Sequence, residues 1–173
     1  MRSSVVSSPA TLATCGAGVA SASRTCLFLL ATGSAAAASD SSSPLPTDAY
    51  FEEYGSLYDH IGMLQDNERM RAYHDAIKLN AERHFKGKVV LDVGTGTGVL
   101  SIWAAQAGAK HVYAVEATDV AAHAETMVAG HGLSGKVTVL RGRMEELQLP
   151  EKVDVILSEW MGYFLLRESM VAS

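Results

Sequence analysis

The chain has 173 residues, of which 48% are hydrophobic, so it can form one ordinary domain with a tail. Its net charge of −5 lies entirely in residues 50–173, which hold 12 Lys and Arg against 17 Asp and Glu. Such acidity disfavours non-specific nucleic-acid binding and suits a cationic partner. Both cysteines, Cys15 and Cys26, lie in the first 49 residues, which excludes a disulfide framework or a cysteine-based metal site from the domain.

Residues 1–49 differ in composition from the rest of the chain. They are rich in Ser, Ala, Thr and Gly, and they contain no acidic residue before Asp40. We expect disorder here; a plastid or mitochondrial transit peptide and a secretory signal are the alternatives. The apolar run 26–31 is far shorter than the roughly 20 residues of a transmembrane helix, so we expect no membrane association. We expect a cytoplasmic or nuclear location, with organelle targeting by this tail left open.

A helical segment is predicted next, in residues 50–85. Apolar and aromatic positions recur there at helical spacing and predict one or two helices, of which Asp66 or Asn67 would cap the second. The positions that carry this spacing are Met63, Asn67, Met70, Tyr73 and Ile77. An amphipathic helix that only packs on the domain would show the same spacing.

Strand and helix patterns alternate from residue 86 to the end of the chain. Strands are predicted at 89–93, 111–116, 136–140 and 153–157, and helices at 99–107 and 119–129. Gly108 would end the first of these helices, and Thr118 or Asp119 would cap the second. Strands that alternate with helices of about ten residues indicate βαβ units, a parallel sheet and an α/β fold.

A glycine loop, residues 94–98, joins the first of these strands to the first helix. Three glycines at alternate positions allow a sharp turn and let a ligand lie against bare backbone amides. Glu116, 18 residues after Gly98, ends the next strand and is placed to accept hydrogen bonds from a ribose. Asp92 would disfavour a pyrophosphate, so the pattern favours a nucleoside with a cationic amino-acid tail. A ligand-free structural turn has the same glycine pattern.

The segment 158–170 places two carboxylates, Glu159 and Glu168, nine positions apart around an aromatic and apolar loop. The side chain of arginine stays protonated below about pH 12, which makes its guanidinium a poor nucleophile. Two carboxylates that bind a guanidinium from different sides would hold one terminal nitrogen in place. They would also draw positive charge towards the other nitrogens and leave electron density on the nitrogen that attacks. The alternative is that one acid caps a helix and the other is solvated.

Four motifs together resemble those of protein arginine methyltransferases: VLDVGTGTG at 90–98, VEA at 115–117, MEE at 144–146 and SEWMGY at 158–163. The likeness is of type I and closest to plant-type members, and it covers residues 50–170. The block 158–170 is specific to this family, whereas many methyltransferases share the glycine loop. The resemblance implies a Rossmann-like domain that transfers a methyl group from S-adenosyl-L-methionine to arginine nitrogens in proteins.

The resemblance also implies roles for individual residues. Residues 50–54 would belong to a helix that covers the cofactor, and Glu159 and Glu168 would form the catalytic clamp. Within the cofactor site, Arg69 would meet the carboxylate, Asp92 and Gly94 the amino-acid tail, Glu116 the ribose and Glu145 the adenine. His60 and Gly96 complete the implied cofactor site, and the implied substrate loop consists of Trp160, Met161, Tyr163 and Met170. The other histidines have no metal-ligand spacing, so we expect no metal.

The implied partners are proteins with accessible arginines, such as histones or Arg-Gly-rich proteins, without direct contact to nucleic acid. The family continues with further strands and a β-barrel domain that carries a dimerisation arm, whereas this chain ends three residues after Met170. We therefore expect a C-terminally truncated, incomplete methyltransferase domain in residues 86–173 and a family homodimer without its dimerisation elements. One alternative is a catalytically inactive remnant that binds cofactor or a partner. Another, disfavoured by the block 158–170, is a small-molecule or nucleic-acid methyltransferase.

Overall fold

The computed structural model describes residues 54–159 and, in the tail, the backbone of two short strands. These are β1, Thr11–Thr14, and β2, Leu27–Leu30, which pair antiparallel with Thr11 opposite Leu30. The sequence analysis predicted neither strand. The other predictions for residues 1–49 lie outside the described residues.

Two helices open the described domain: α1, Leu57–Gln65, and α2, Asn67–Leu79. They are separated at Asp66, where the backbone is extended and the side chain accepts a hydrogen bond from the Arg69 amide at 3.1 Å. This contact satisfies one of the amides that a helix start leaves unpaired. The prediction of a second helix capped at Asp66 is confirmed. A π-helical turn, Ala81–Phe85, then leads to the sheet.

The sheet contains β3, Val89–Val93; β4, His111–Glu116; β5, Val137–Arg141; and β6, Val155–Ser158. Their order is β5-β4-β3-β6, and all three neighbouring pairs are parallel. The predicted α/β class with about four parallel strands is confirmed. β3 is an inner strand and is buried over its first four residues, which explains the apolar run 89–91; the fourth buried residue is Asp92.

The helices that connect the strands are α3, Val99–Gln106, and α4, Ala121–Gly130. Gly108 follows α3 with φ +97°, a left-handed conformation that suits glycine after a helix end, as predicted. The predicted cap of α4 is wrong, because the helix begins after Val120 without a side-chain cap. The hydroxyl of Thr118 instead donates to Glu116 at 2.8 Å.

The core lies on both faces of the sheet, and successive strand residues alternate between them. The face under α2, α3 and α4 is filled around Tyr73, Ile77, Phe85, Val90, Val112 and Leu157. The opposite face holds Leu91, Tyr113 and Val115, with Leu147, Leu149 and Ile156 packed against them. In the described part of the chain, no helix combines the length and apolar character needed to cross a membrane.

We expect Leu157→Ala to lower the free energy of unfolding by about 3 kcal/mol, because its fully buried side chain leaves a cavity when shortened. The matched control is Leu79→Ala, since Leu79 is 77% exposed and should change stability by no more than about 0.5 kcal/mol. Urea unfolding followed by circular dichroism measures both values. Equal losses in the two variants would contradict the position assigned to Leu157 in the core.

Candidate functional site

A cavity of about 160 Å³ lies at the edge of the sheet where the parallel strands end. α1 and α2 bound it on one side; the glycine loop, the end of β4 and a 3₁₀ turn, Met144–Glu146, bound it on the other. Crevices at this edge are the usual ligand sites of parallel α/β sheets. The structure brings six of the seven residues expected to bind cofactor to the cavity, together with Glu159: His60, Arg69, Gly94, Gly96, Glu116 and Glu145.

The glycine loop turns sharply through left-handed backbone conformations. Gly94, Gly96 and Gly98 have φ values of +71°, +55° and +83°, which residues with a Cβ rarely adopt. The amides of Gly94 and Thr95 both donate to the carbonyl oxygen of Val115, at 3.0 and 2.9 Å. The loop is therefore held against the end of β4 by its own backbone.

His60 packs directly over the loop. A Cβ added at Gly96 would lie 2.9 Å from His60 Cε1, closer than two carbon atoms can approach. His60 Nε2 donates to the carbonyl oxygen of Tyr54 at 3.1 Å, and the imidazole is largely buried. Since His60 belongs to α1, this contact places the N-terminal helix beside the loop, and a side chain at position 96 would force the imidazole to shift.

The Glu116 carboxylate joins the loop to the end of β4. Its Oε2 accepts from the Gly96 amide at 2.9 Å, and its Oε1 accepts from the amide and hydroxyl of Thr118 at 2.9 and 2.8 Å. A carboxylate has about four acceptor positions, so Glu116 retains capacity for a further donor. Sequence reasoning assigned Thr118 to a helix cap and missed this role. The sequence signal that could have predicted this contact is a hydroxyl residue two positions after a carboxylate, a spacing typical of local side-chain hydrogen bonds.

Asp92 lies beneath the loop and is fully buried. Its Oδ2 accepts hydrogen bonds from the hydroxyls of Thr95 and Ser101, both at 2.7 Å. Its Oδ1 is buried and has no partner among the described residues. Burial raises the pKa of Asp92 to about 6; the two hydroxyls oppose this rise, and the charge of Glu116 adds to it. Asp92 is the expected cofactor residue that does not line the cavity, so its predicted contact stays a prediction.

Arg69 and Glu159 form an ion pair at the mouth of the cavity, with Nη2 and Oε2 2.6 Å apart. The guanidinium also lies 5.7 Å from the centre of the Tyr73 ring. Burial alone would lower the pKa of Arg69, but Glu159 and Tyr73 outweigh it and raise the pKa. The sequence analysis expected Arg69 and Glu159 to meet different ligands and missed their contact, because they are 90 positions apart.

Several predicted site residues lie outside the described residues. They are the second carboxylate, Glu168, and the substrate-loop residues Trp160, Met161, Tyr163 and Met170. Glu145 is placed in the 3₁₀ turn, where it lines the cavity and is exposed. Within residues 54–159, no group of three His, Cys, Asp or Glu side chains is arranged to hold a metal.

A family model described as a methyltransferase domain matches residues 90–172 of this chain. Protein arginine N-methyltransferase PRMT10 of Oryza sativa subsp. japonica is 60% identical over 124 residues, which are 72% of this chain and 32% of that protein. Probable protein arginine N-methyltransferase 6 of Arabidopsis thaliana is 52% identical over 138 residues, which are 78% and 32% of the two chains. The chain thus spans about a third of the length of the relatives that it matches.

Solved structures of similar proteins agree with these relatives. The structure of Arabidopsis thaliana protein arginine methyltransferase 10, in an open conformation, matches with a TM-score of 0.68 at 59% sequence identity. The matched region is 70% of this chain and 34% of that chain. The enzyme–prozyme heterotetrameric complex of Trypanosoma brucei PRMT1 with AdoHcy matches with a TM-score of 0.66 at 50% sequence identity. The matched region is 69% of this chain and 37% of that chain. These likenesses confirm the Rossmann-like methyltransferase fold.

We expect Gly96→Ala to destabilise the protein more than Gly87→Ala. Both glycines have positive φ, which costs an alanine about 1–2 kcal/mol, but a Cβ meets His60 at position 96 and nothing within 4 Å at position 87. Adding His60→Ala to Gly96→Ala should recover part of the difference. Chemical unfolding of the four variants, including His60→Ala alone, measures this coupling. Additive effects of the two substitutions would show that His60 does not pack on the loop.

Proposed function

Because this chain belongs to the protein arginine N-methyltransferase family, we propose that it binds S-adenosyl-L-methionine and methylates arginine in proteins. The observation that carries the proposal is the convergence of the glycine loop, Glu116 and Arg69 on one cavity beside Glu159. The solved structures of Trypanosoma brucei PRMT1 and of PRMT6 contain AdoHcy, also written SAH, the demethylated form of this cofactor. We place the same ligand class in the cavity of this chain.

The residues around the cavity fit that ligand. The bare backbone of the glycine loop allows close approach, and the remaining acceptor capacity of Glu116 suits ribose hydroxyls. The planar guanidinium of Arg69 is the natural partner of the ligand's carboxylate. Asp92, Glu116 and Glu159 surround the site with acidic groups, which favour a ligand that carries a positive sulfur. Glu145 is assigned to the adenine on the strength of the family motif.

Arg69 serves both the cofactor and the catalytic group in this proposal. A guanidinium has five N–H donors, and the contact with Glu159 uses the Nη2 group. The guanidinium also hydrogen-bonds the side chain of Tyr73, and its remaining donors are assigned to the cofactor's carboxylate. Since Arg69 and Glu159 are paired, the same guanidinium orients the carboxylate that is to hold the substrate.

The catalytic proposal assigns Glu159 and Glu168 to the substrate's guanidinium. The bound cofactor supplies an electrophilic methyl group on a positively charged sulfur. Together, Glu159 and Glu168 accept hydrogen bonds from the substrate arginine, hold one terminal nitrogen in place and draw positive charge towards the other nitrogens. The apolar loop of Trp160, Met161, Tyr163 and Phe164 would exclude water and strengthen these interactions. Met161 and Met170 would shape the space around the attacking nitrogen.

The proposed substrates are protein segments with accessible arginines, such as those of histones or Arg-Gly-rich proteins. The net charge of −5, which lies in residues 50–173, favours encounter with cationic segments. Homodimerisation and a cytoplasmic or nuclear location are further proposals that follow from the family. The alternative is a remnant that binds the cofactor but does not transfer its methyl group. The transfer assay below distinguishes this remnant from an active methyltransferase.

We expect Glu116→Ala to weaken S-adenosyl-L-methionine binding about tenfold or more, because hydrogen bonds from ligand hydroxyls to a charged acceptor are lost. Glu125→Ala removes an exposed carboxylate from α4, away from the cavity, and should leave the affinity unchanged. Isothermal titration calorimetry of both variants and the wild type measures this. An unchanged affinity of Glu116→Ala for S-adenosyl-L-methionine would contradict the assignment of Glu116 to cofactor binding.

We expect Glu159→Gln to reduce methyl transfer to an Arg-Gly-rich peptide by about 10²–10³-fold, because the charge that stabilises the substrate guanidinium is removed. The control is Glu146→Gln, an exposed carboxylate that does not line the cavity and should keep full activity. Radiolabelled methyl incorporation into the peptide measures transfer, and calorimetry confirms that each variant still binds cofactor. Cofactor binding without transfer by the wild-type chain would favour the inactive remnant.

A further inference from the structure

The carboxylate of Asp92 has an asymmetric environment. Two hydroxyls, from Thr95 and Ser101, converge on Oδ2 at 2.7 Å, while Oδ1 is buried with no partner among the described residues. The two hydroxyl oxygens lie 3.1 Å apart. Hydrogen bonds from donors stabilise the ionised form of a carboxylic acid, whereas burial without partners favours its neutral form. Burial has the largest effect on the pKa of Asp92, and the two hydroxyls oppose it, so they increase the fraction of the anion near neutral pH.

The same two hydroxyls connect three elements of the site. Asp92 belongs to β3, Thr95 lies between Gly94 and Gly96 in the loop, and Ser101 lies in the first turn of α3. Ser101 is fully buried among apolar residues of the helix, where a hydroxyl is costly unless it is bonded. The carboxylate thus holds the turn of the glycine loop to β3 and α3.

We propose that Thr95 and Ser101 are positioning residues for cofactor binding, because their hydroxyls keep Asp92 ionised beneath the glycine loop and so hold the loop in its binding conformation. The buried anion also attracts the cationic part of the cofactor through a medium of low dielectric constant. This inference rests on the proposed function, and neither hydroxyl contacts the cofactor in it. Ionised Asp92 is the form that favours cofactor binding. The affinity for the cofactor should therefore fall when the pH falls through the pKa of Asp92, which is about 6 in the ligand-free protein.

Other ionisable groups face the same region and also influence the pH profile. They are Tyr54 and His60 at α1, Arg69 and Tyr73 from α2, Glu116 from β4, Arg143 and Glu145 at the 3₁₀ turn, and Glu159 after β6. α3, with the sequence VLSIWAAQ, contributes no ionisable side chain. Because these groups are common to the wild type and to a hydroxyl variant, a difference between the two profiles isolates the contribution of Asp92.

The test measures binding of S-adenosylhomocysteine to the full 173-residue chain by calorimetry from pH 5.5 to 8.5. Ser101→Ala and Thr95→Val each remove one donor from Asp92 and should move the midpoint of the acid limb upwards by about one pH unit. For each protein, the affinity at pH 6 is divided by its affinity at pH 8.5. This ratio should be about fivefold smaller in each variant than in the wild type. Carbon-13 NMR of the Asp92 carboxyl in the ligand-free protein should show the same shift.

Two controls separate positioning from packing. Thr95→Ser keeps the hydroxyl and should keep the wild-type midpoint. Ser158→Ala removes a hydroxyl that donates to the Val93 carbonyl at the same edge of the sheet, at 2.9 Å, and should not move the midpoint. Unchanged midpoints in Ser101→Ala and Thr95→Val, with binding retained, would overturn this inference alone. A wild-type chain that binds no S-adenosylhomocysteine at any pH would overturn the proposed function and this role with it.

Discussion

The parallel pairing of β3 with both β4 and β6 is the constraint on which the site depends. In this register Val93 lies opposite Val115 on one side and Ser158 on the other. Parallel strands direct their carboxyl ends to one edge, so the glycine loop, Glu116 and Glu159 leave the sheet together although they are distant in sequence. Because β3 is central and buried, the backbone before the loop is held by neighbours on both sides.

Besides the exposed Glu145, the site has three carboxylates that are buried or partly buried, and each is stabilised in a different way. Asp92 is fully buried and accepts from two hydroxyls; Glu116 accepts from backbone amides and one hydroxyl; Glu159 pairs with Arg69. Burial makes an unpaired charge costly, so these donors are a condition for folding as well as for binding. The excess of acids over arginines leaves the cavity suited to a cation, which agrees with the proposed sulfonium ligand and the proposed arginine substrate.

The four strands of the parallel sheet, the helices and the glycine loop are predictable from the sequence, because hydrophobic period and glycine spacing are local signals; β1 and β2 of the tail are not predicted. β4 was predicted at its observed bounds, 111–116, and α4 two residues too early. The error at α4 arose because Thr118 has two possible local partners, a helix amide and the Glu116 carboxylate, and the sequence does not say which is closer. Contacts between distant residues, such as Arg69 with Glu159 or Asp92 with Ser101, depend on packing that no local pattern encodes.

The Arg69–Glu159 pair makes the two halves of the proposed site interdependent. Arg69 comes from α2 and Glu159 from the end of β6, so their contact also fastens the N-terminal helices to the sheet. Removing Arg69 would remove the proposed partner of the cofactor's carboxylate and change the orientation of Glu159 and the packing of α2. The contacts of Glu116, by contrast, come from Gly96 and Thr118 beside the loop. Glu116 therefore reports on cofactor binding with less interference, whereas a defect at Arg69 would combine binding, catalysis and stability.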